Sequence, residues 1–311
     1  MEQAGSEEDS ARNIVSECLG KLAIAQPVVL DDIEKLLSSM SDKERATAAT
    51  AFKHAVSSKH TTADEDLAKH LGALLELLGD ENGVVKQAAI QAVTQCLLTK
   101  SRLAEPSLPT IVPAILGLTP VNKVLFREVV LGPFKQVVDD GLPLRRAAYE
   151  CLDALVNLCP DDLPADELIP AVVSGITDHF DMLKCSAISM TDHFSVKGTC
   201  HRILAKVAGI RPERVLDGLD KILAPVEKTL AFKLKSDAVK QDVEKVDEMK
   251  AGALSAVVAL AKNEGIAGRK PYVNFQDALK ANPDKGLFAK FEAMQGGGGA
   301  AGTSADPMML D

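Results

Sequence analysis

Aromatic residues are scarce in this sequence. They make up 4% of its 311 residues, with two tyrosines and no tryptophan. Aromatic side chains favour β-sheets, whereas Ala, Leu, Val and Lys dominate this chain, a balance that favours helix over β-sandwich. Because 46% of the residues are hydrophobic, the chain can still bury a substantial core. The composition therefore predicts an all-α fold.

The sequence also lacks an excess of basic residues and any long apolar run. Its net charge is −9, so no basic field exists that would attract nucleic-acid phosphates or an anionic membrane surface. No uninterrupted apolar stretch approaches the roughly 20 residues that cross a bilayer. These absences predict a soluble protein with no direct nucleic-acid binding and no membrane binding.

Cysteine is present, but not in the spacing of a disulfide framework. The cysteines are Cys18, Cys96, Cys151, Cys159, Cys185 and Cys200, far apart and within apolar helical patterns. The first ten residues lack the cationic start and apolar run of a signal peptide. We therefore expect reduced core cysteines in a cytoplasmic and nuclear protein.

One group of histidines and cysteines raises the question of chemistry. Its members are His179, Cys185, His193, Cys200 and His201. A zinc site or a Cys/His nucleophile is conceivable there, but neither CxxC nor HxxxH spacing is present. A polar cluster beside helices explains the group better. We expect no catalytic residue, no metal and no cofactor, so the protein is not expected to be an enzyme.

Amphipathic helical segments follow one another in pairs from about residue 10 to residue 260. The predicted helices are 28–40, 42–56, 66–78, 84–98, 166–177, 194–208, 212–230 and 237–262, then the shorter 273–281 and 285–294. Second helices open with an acid, a base and small alanines, at Asp42, Asp80 and Asp140. The acid is expected to cap free N–H groups, and the alanines to allow close helix packing.

The spacing of the basic residues in these openings gives the repeat length. Arg45 and Lys86 are 41 residues apart, which matches the HEAT/armadillo period of about 40 to 47 residues. Lys86 and Arg145 are 59 residues apart, about 18 residues more than one period. The pattern predicts a HEAT/armadillo-type α-solenoid that contains one insertion.

The insertion occupies residues 124–141. Two arms rich in Val, Leu and Phe flank a Gly132-Pro133 break, and Asp-Asp-Gly closes the second arm. This pattern predicts a β-hairpin at about 124–138. Both faces of the first arm are partly apolar, so the hairpin could cover a groove between repeats or leave one face free for a partner. The spacing alone leaves both interpretations open.

The composition also divides the chain into three parts. Residues 1–9 are predicted to be a flexible N-terminus and residues 10–295 a HEAT-repeat solenoid. Residues 296–311 form a Gly/Ala-rich tail that has too little apolar surface to fold, and we expect it to be disordered.

Several longer stretches carry a resemblance to a known family. They are residues 11–22, 127–142, 146–151, 177–180, 235–242 and 247–250. In these stretches the chain is similar to the C-terminal region of cullin-associated, neddylation-dissociated proteins, a region also called a TATA-binding-protein-interacting domain. The resemblance covers about residues 10 to 295 and includes the predicted hairpin.

The resemblance implies a protein-binding scaffold. In that family the scaffold associates with an unneddylated cullin and its RING subunit, and it regulates assembly and substrate-receptor exchange of SCF/cullin-RING ubiquitin ligases. The C-terminal repeats hold the N-terminal region of the cullin, and the hairpin competes with the adaptor. Carried onto this sequence, the implied partner-binding residues are Arg127, Val129, Leu131, Pro133, Phe134, Lys135 and Val137. The alternative is a transcriptional regulator that binds the TATA-binding protein.

The chain departs from the family in two respects. Family members are several times longer, so exchange activity does not follow for this chain alone. Thr-Asp-His-Phe occurs at 177–180 and again at 191–194, and leaving out residues 181–194 would restore the sequence of the family. Residues 181–194 are either a real loop enlargement or an artefact of splicing or gene assignment.

Overall fold

The computed structural model describes residues 2–131, 134–178, 190–234, 239–282 and 284–296. Its elements, in chain order, are α1 (Asp9–Ala25), α2 (Val29–Leu37), α3 (Asp42–Val56), α4 (Asp64–Glu76), α5 (Gly83–Ala104), α6 (Leu108–Gly117), β1 (Phe126–Leu131), β2 (Phe134–Asp139), α7 (Leu142–Leu158), α8 (Ala165–Thr177), α9 (Met190–Ile210), α10 (Pro212–Asp217), α11 (Leu219–Ala231), α12 (Lys240–Ala261), α13 (Lys270–Lys280) and α14 (Lys285–Gly296). Short 3-10 turns join some of them. The predicted α-solenoid with one inserted hairpin is confirmed.

The helices form two layers. The second helices of successive pairs, α1, α3, α5, α7, α9 and α12, pack side by side in that order. The first helices, among them α2, α4, α6, α8 and α11, form the other layer. Each helix buries one face against its own pair and another against the next pair, as expected of a repeat solenoid. One continuous apolar core runs from Leu19 in α1 to Phe291 in α14.

The caps of the second helices differ from the prediction. The side chain of Ser41 caps α3 and that of Asn82 caps α5, whereas no side chain caps α7. Asp42 accepts from the Lys43 amide at 2.8 Å and Asp80 from the Asn82 amide at 2.8 Å, so both acids bind N–H groups at the helix start as predicted, although neither is the N-cap residue. For Asp140 the prediction is wrong. Serine and asparagine are strong N-cap residues, and here they stand next to the aspartates.

The basic residue of the same opening ties one pair to the next. Arg45 of α3 donates to Asp80, with Nε–Oδ2 2.7 Å and Nη2–Oδ1 3.0 Å. Arg145 of α7 donates to Asp178 after α8, with Nη2–Oδ2 2.8 Å. Hydrogen bonds between ionised groups are stronger than neutral ones and fix geometry. Asp80 therefore links repeats, and the Arg45 guanidinium lowers the pKa of its carboxyl.

Two glycines permit unusually close helix packing. A Cβ on Gly20 of α1 would lie 2.5 Å from the carbonyl oxygen of Ala51 in α3. A Cβ on Gly175 of α8 would lie 2.4 Å from the Cys200 sulfur in α9. Because real Cβ contacts are longer, these two positions need glycine for the helices to sit as they do.

Several predicted boundaries move. The predicted helix 212–230 is two helices, α10 and α11, separated at Gly218, and the predicted 84–98 extends to Ala104 as α5. Within α5, Lys100 has non-helical dihedrals, and its buried ammonium donates to Asp64 at 2.6 Å. Helix α6 had no counterpart among the predicted helices.

The structure describes the two ends of the chain and the repeated Thr-Asp-His-Phe region only in part. Residues 2–5 form a 3-10 turn in which Ala4 is buried. Residues 297–311, predicted to be disordered, lie outside the described residues, as do residues 181–189 of the repeated Thr-Asp-His-Phe region. Within the described ranges, no helix combines the length and the apolar character that a membrane span requires.

Candidate partner-binding surface

The hairpin lies between α6 and α7 and interrupts the helical array. Its strands are antiparallel. The register pairs Phe126 with Asp139, Arg127 with Val138, Glu128 with Val137, Val129 with Gln136, Val130 with Lys135 and Leu131 with Phe134. Residues paired directly across an antiparallel ladder share a face, and successive residues alternate between faces. Neither strand lies along a helix of the described chain.

Burial changes along the hairpin more than from face to face. Phe126 and Asp139 are paired at the base, and Asp139 is 5% exposed. On the same face, Val130 is 63% exposed. On the other face, Arg127 is exposed and Val129 is half-buried. Solvent therefore reaches both faces of the part of the hairpin whose side chains are described.

A buried ion pair anchors the base of the hairpin. Both oxygens of Asp139 accept hydrogen bonds from Arg145, with Nη2–Oδ2 2.7 Å and Nη1–Oδ1 3.3 Å. The Gly141 amide also donates to Asp139, at 3.0 Å. Because Arg145 also holds Asp178, the end of β2 is connected through one guanidinium to the next repeat. The base is thus rigidly positioned by buried, charge-assisted contacts.

A second, exposed ion pair lies beside it. Arg127 Nε is 2.6 Å from Asp140 Oδ2, and the two side chains are 59% and 45% exposed. The Asp140 amide donates to the Leu125 carbonyl, which closes the strand entry. Exposed pairs contribute at most about 1 kcal/mol. Arg127 is therefore available to a partner at small cost to the fold.

The predicted partner-binding residues fall into three groups. Arg127, Val129 and Val137 are described, and the register places Val137 on the face opposite to the other two. Leu131, Phe134 and Lys135 lie in the strands, and their side chains are outside what the structure describes. Pro133 lies outside the described residues. Their role stays a prediction.

Two exposed valines of this region were not among the predicted residues. Val124, just before β1, is 88% exposed, and Val130 is 63% exposed. Both are apolar side chains in water next to a rigid base, which is typical of binding surfaces. The signal was present in the sequence, because Val130 lies on the same face of β1 as Phe126.

The members of the histidine and cysteine group that the structure describes, His193, Cys200 and His201, are buried. Cys200 and His201 lie in α9 and are fully buried. Burial raises the pKa of the Cys200 thiol and lowers that of His201 to about 4. No group of three or more His, Cys, Asp or Glu side chains that could hold a metal occurs among residues 2–178 and 190–296 as far as they are described. His179 and Cys185 lie outside the described residues.

Comparison with known proteins identifies relatives over the whole chain. A family model described as TATA-binding protein interacting (TIP20) matches residues 103–280, which include the hairpin. A cullin-associated NEDD8-dissociated protein 1 of Arabidopsis thaliana is 37% identical over 93% of this chain and 23% of that protein. A cullin-associated NEDD8-dissociated protein 2 of Rattus norvegicus is 32% identical over 100% of this chain and 23% of that protein.

Another relative is named as one part of such a protein. A protein of Emericella nidulans named cullin-associated NEDD8-dissociated protein 1, C-terminal part, is 29% identical over 83% of this chain and 24% of its own length. The chain thus spans about a quarter of the length of these curated relatives. The predicted resemblance is confirmed.

Solved structures support the fold. A chain in the complex of Kap95p with RanGDP superposes with a TM-score of 0.61 at 14% identity, covering 93% of this chain and 34% of that one. A designed armadillo repeat protein superposes with a TM-score of 0.50 at 14% identity, covering 83% and 97%. At such low identity these matches establish the α-solenoid alone.

Proposed function

The chain belongs to the TATA-binding protein interacting (TIP20) family, and on that premise we propose that it is a non-enzymatic scaffold that binds an unneddylated cullin. It contacts the N-terminal region of the cullin, and its hairpin competes with the adaptor for that region. By doing so it regulates the assembly and substrate-receptor exchange of SCF/cullin-RING ubiquitin ligases. Its place of action is the cytoplasm and the nucleus.

The names of the relatives support cullin as the partner. Proteins of Arabidopsis and rat that match this chain are named cullin-associated NEDD8-dissociated proteins. The family match spans the hairpin and the helices on both sides of it. We therefore expect a cullin to contact the hairpin and the helices beside it.

The observation that carries the hairpin mechanism is the contrast between its base and its outer part. Asp139 and Arg145 fix the base in a buried pair, while Val130 stays 63% exposed. A surface that is already rigid loses little conformational entropy when it binds. An exposed two-stranded ribbon also offers apolar side chains to a partner. A preorganised hairpin of this kind is suited to compete with the adaptor for its binding site on the cullin.

The proposed contacts follow from the sequence and the exposure. Those implied by the family are Arg127, Val129, Leu131, Pro133, Phe134, Lys135 and Val137, to which the exposure adds Val130. Arg127 supplies a cation for carboxylates on the partner. Val129, Val137 and above all Val130 supply apolar surface that is removed from water on binding.

Isothermal titration calorimetry of the chain against a recombinant, unmodified cullin N-terminal region tests this function. We expect 1:1 binding that weakens at least about tenfold, or 1.4 kcal/mol, in the combined variant Leu131→Ser, Phe134→Ser and Val130→Ser. Val84→Ser is the matched control, because Val84 is 66% exposed on α5, away from the hairpin. Unchanged affinity of the hairpin variant would remove the hairpin from the mechanism, and no binding by the unaltered chain would refute the cullin assignment.

Binding of the TATA-binding protein is the second candidate. The description of the family model favours it, and a net charge of −9 favours a basic partner surface. Such an interaction would weaken steeply with salt and would not depend on the hairpin. Titration of that protein at low and high ionic strength, with the same hairpin variant, separates the two candidates.

A further inference from the structure

A cleft opens between α6 and α8, two neighbouring first helices. Its volume is about 470 Å³, within the range of about 300 to 1,000 Å³ that is typical of ligand clefts. The cleft lies where both helices begin, because Leu108, the first residue of α6, and Pro164, the residue before α8, line it. The hairpin follows the other end of α6, so the cleft is separate from the candidate partner-binding surface.

The walls of the cleft are apolar. Three buried side chains form its inner wall, namely Leu108, Val112 and Leu163. Three exposed proline rings form its outer walls, namely Pro109, Pro113 and Pro164. Proline rings are short and do not reach across to the facing helix. The gap between α6 and α8 therefore stays open to solvent within the described part of the chain.

The polar groups of the cleft accept hydrogen bonds. Its polar side chains are the carboxylates of Asp161, Asp162 and Glu167. The prolines have no N–H, and Pro113 inside α6 leaves the Pro109 carbonyl without its usual helical donor. None of the lining residues has a side chain that donates. A ligand of this cleft must therefore bring the donors.

The charge at the cleft is negative. Arg211 stands at its margin, with Nη2 3.6 Å from Asp161 Oδ1 and 3.3 Å from the Pro160 carbonyl oxygen. The starts of α6 and α8 add roughly half a positive charge each, so the three carboxylates leave about one net negative charge. Glu167 lies in the first turn of α8, where acids are common. That role does not account for Asp162, which precedes the helix and is exposed.

We propose that this cleft binds a short linear segment of a partner protein in which an apolar residue stands next to a lysine or arginine. The apolar side chain would lie on Leu108, Val112 and Leu163 and lose its contact with water. The neighbouring cation would reach Asp162 and Glu167, as Arg211 already reaches Asp161. This interaction goes beyond the proposed function, because it uses another face of the molecule and needs no cullin.

Fluorescence anisotropy with synthetic peptides tests the proposal on the whole chain. The probes are four fluorescein-labelled peptides of the sequence GSGKXRGSG, in which X is Val, Leu, Met or Phe. We expect saturable binding of at least one probe. Its counterparts with Glu in place of Lys and Arg, or with Gly at X, should bind at least about tenfold more weakly.

A substitution that fills the cleft locates the binding site. Pro113→Trp places a large ring between α6 and α8 and restores an N–H to the helix, so the fold should be kept while probe binding weakens at least about tenfold. Pro170→Trp is the matched control, because Pro170 is also an exposed proline inside a helix but does not line the cleft. Circular dichroism and thermal unfolding check that both variants fold.

A charge reversal tests the acidic margin. Asp162→Lys/Glu167→Lys should weaken binding at least about tenfold. The control Glu65→Lys/Glu76→Lys changes the net charge equally at two exposed acids of α4, one of them in the first turn as Glu167 is in α8. The control should bind the probe like the unaltered chain.

Four results would overturn the proposal. They are no saturable binding of any of the four probes, equal binding of the acidic counterparts, equal binding by Pro113→Trp, and equal loss of binding in either control variant. A dimer in sedimentation that Pro113→Trp dissociates would also overturn it and assign the cleft to a second copy of this chain. The hairpin variant Val130→Ser, Leu131→Ser and Phe134→Ser should bind the probe unchanged, which keeps this test independent of the proposed function.

Discussion

The guanidinium of Arg145 lies 2.7 Å from the carboxylate of Asp139, and the two side chains are 2% and 1% exposed. The pair joins the first turn of α7 to the last residue of β2. Since Arg145 also contacts Asp178, a single side chain positions the hairpin relative to the following repeat. Burial of this kind is costly unless every charge is compensated.

Removal of this guanidinium should destabilise the fold strongly. Arg145→Met takes away the cation between two buried carboxylates, and we expect the free energy of unfolding to fall by about 3 to 5 kcal/mol in urea titrations. Arg127→Met is the control, because the Arg127–Asp140 pair is exposed and should cost about 1 kcal/mol or less. Equal losses in the two variants would contradict the anchoring role of Arg145.

His201 should make stability depend on pH. Burial lowers the pKa of His201 in the folded state from 6.5 to about 4. Among the described residues, none accepts a hydrogen bond from Nε2, so a proton on this atom would be buried without a partner. The unfolded state therefore binds the proton first, so stability is full above about pH 6.5 and is lost as pH falls toward 4. The effect is on the order of 3 kcal/mol.

The comparison of His201→Gln with His60→Gln isolates this effect. Urea titrations between pH 7 and pH 4 should show a flatter decline for His201→Gln, whereas the exposed His60→Gln should follow the unaltered protein. Identical slopes for His201→Gln and the unaltered protein would show that the ring does not titrate in the buried site as described.

Gly175 should not tolerate alanine. A Cβ there would lie 2.4 Å from the Cys200 sulfur and 2.7 Å from the Tyr149 ring. We expect Gly175→Ala to lower the free energy of unfolding by about 1 to 3 kcal/mol, because α8 must move away. In α4, Gly72 has no atom within 4 Å of the same position, so Gly72→Ala should stabilise by about 0.5 to 1 kcal/mol. Thermal unfolding of both variants checks the opposite signs.

Thiol reactivity should separate exposed from buried cysteines. Burial raises the pKa of Cys96 to about 11 and of Cys151 to about 12, whereas Cys18 is exposed. Since the thiolate is the reactive form, iodoacetamide at pH 8 should alkylate Cys18 first, and Cys96 and Cys151 only after unfolding. Peptide mass spectrometry over time measures the order. Early alkylation of Cys151 would mean that the core between α5 and α7 opens easily.

The helix pairs could be predicted because their signals are local. The apolar spacing of α2 and α3 and the 41-residue distance from Arg45 to Lys86 carry the repeat in short windows. The hairpin was predictable for the same reason, since Gly132-Pro133 separates two strand-like arms. The prediction of the N-cap residue failed where two polar residues are adjacent, as with Ser41 and Asp42.

The buried ion pairs that anchor the hairpin could not be predicted from short stretches of the sequence. Asp139 and Arg145 are near in sequence, but Asp178 joins them from 33 residues away, and only packing brings it there. The same holds for Asp80, which accepts from the Asn82 amide as predicted but also binds Arg45 in the preceding pair. The exposure of Val130 likewise depends on how far the hairpin stands from the helices.

The rate at which an adaptor leaves a preformed complex with a cullin N-terminal region tests the hairpin mechanism most directly. Donor and acceptor dyes on the two proteins report the separation by fluorescence energy transfer. We predict that the chain accelerates adaptor release and that the variant Val130→Ser, Leu131→Ser and Phe134→Ser does not, while Val84→Ser acts like the unaltered chain. Acceleration of the same size by the hairpin variant, or none by the unaltered chain, would contradict competition by the hairpin.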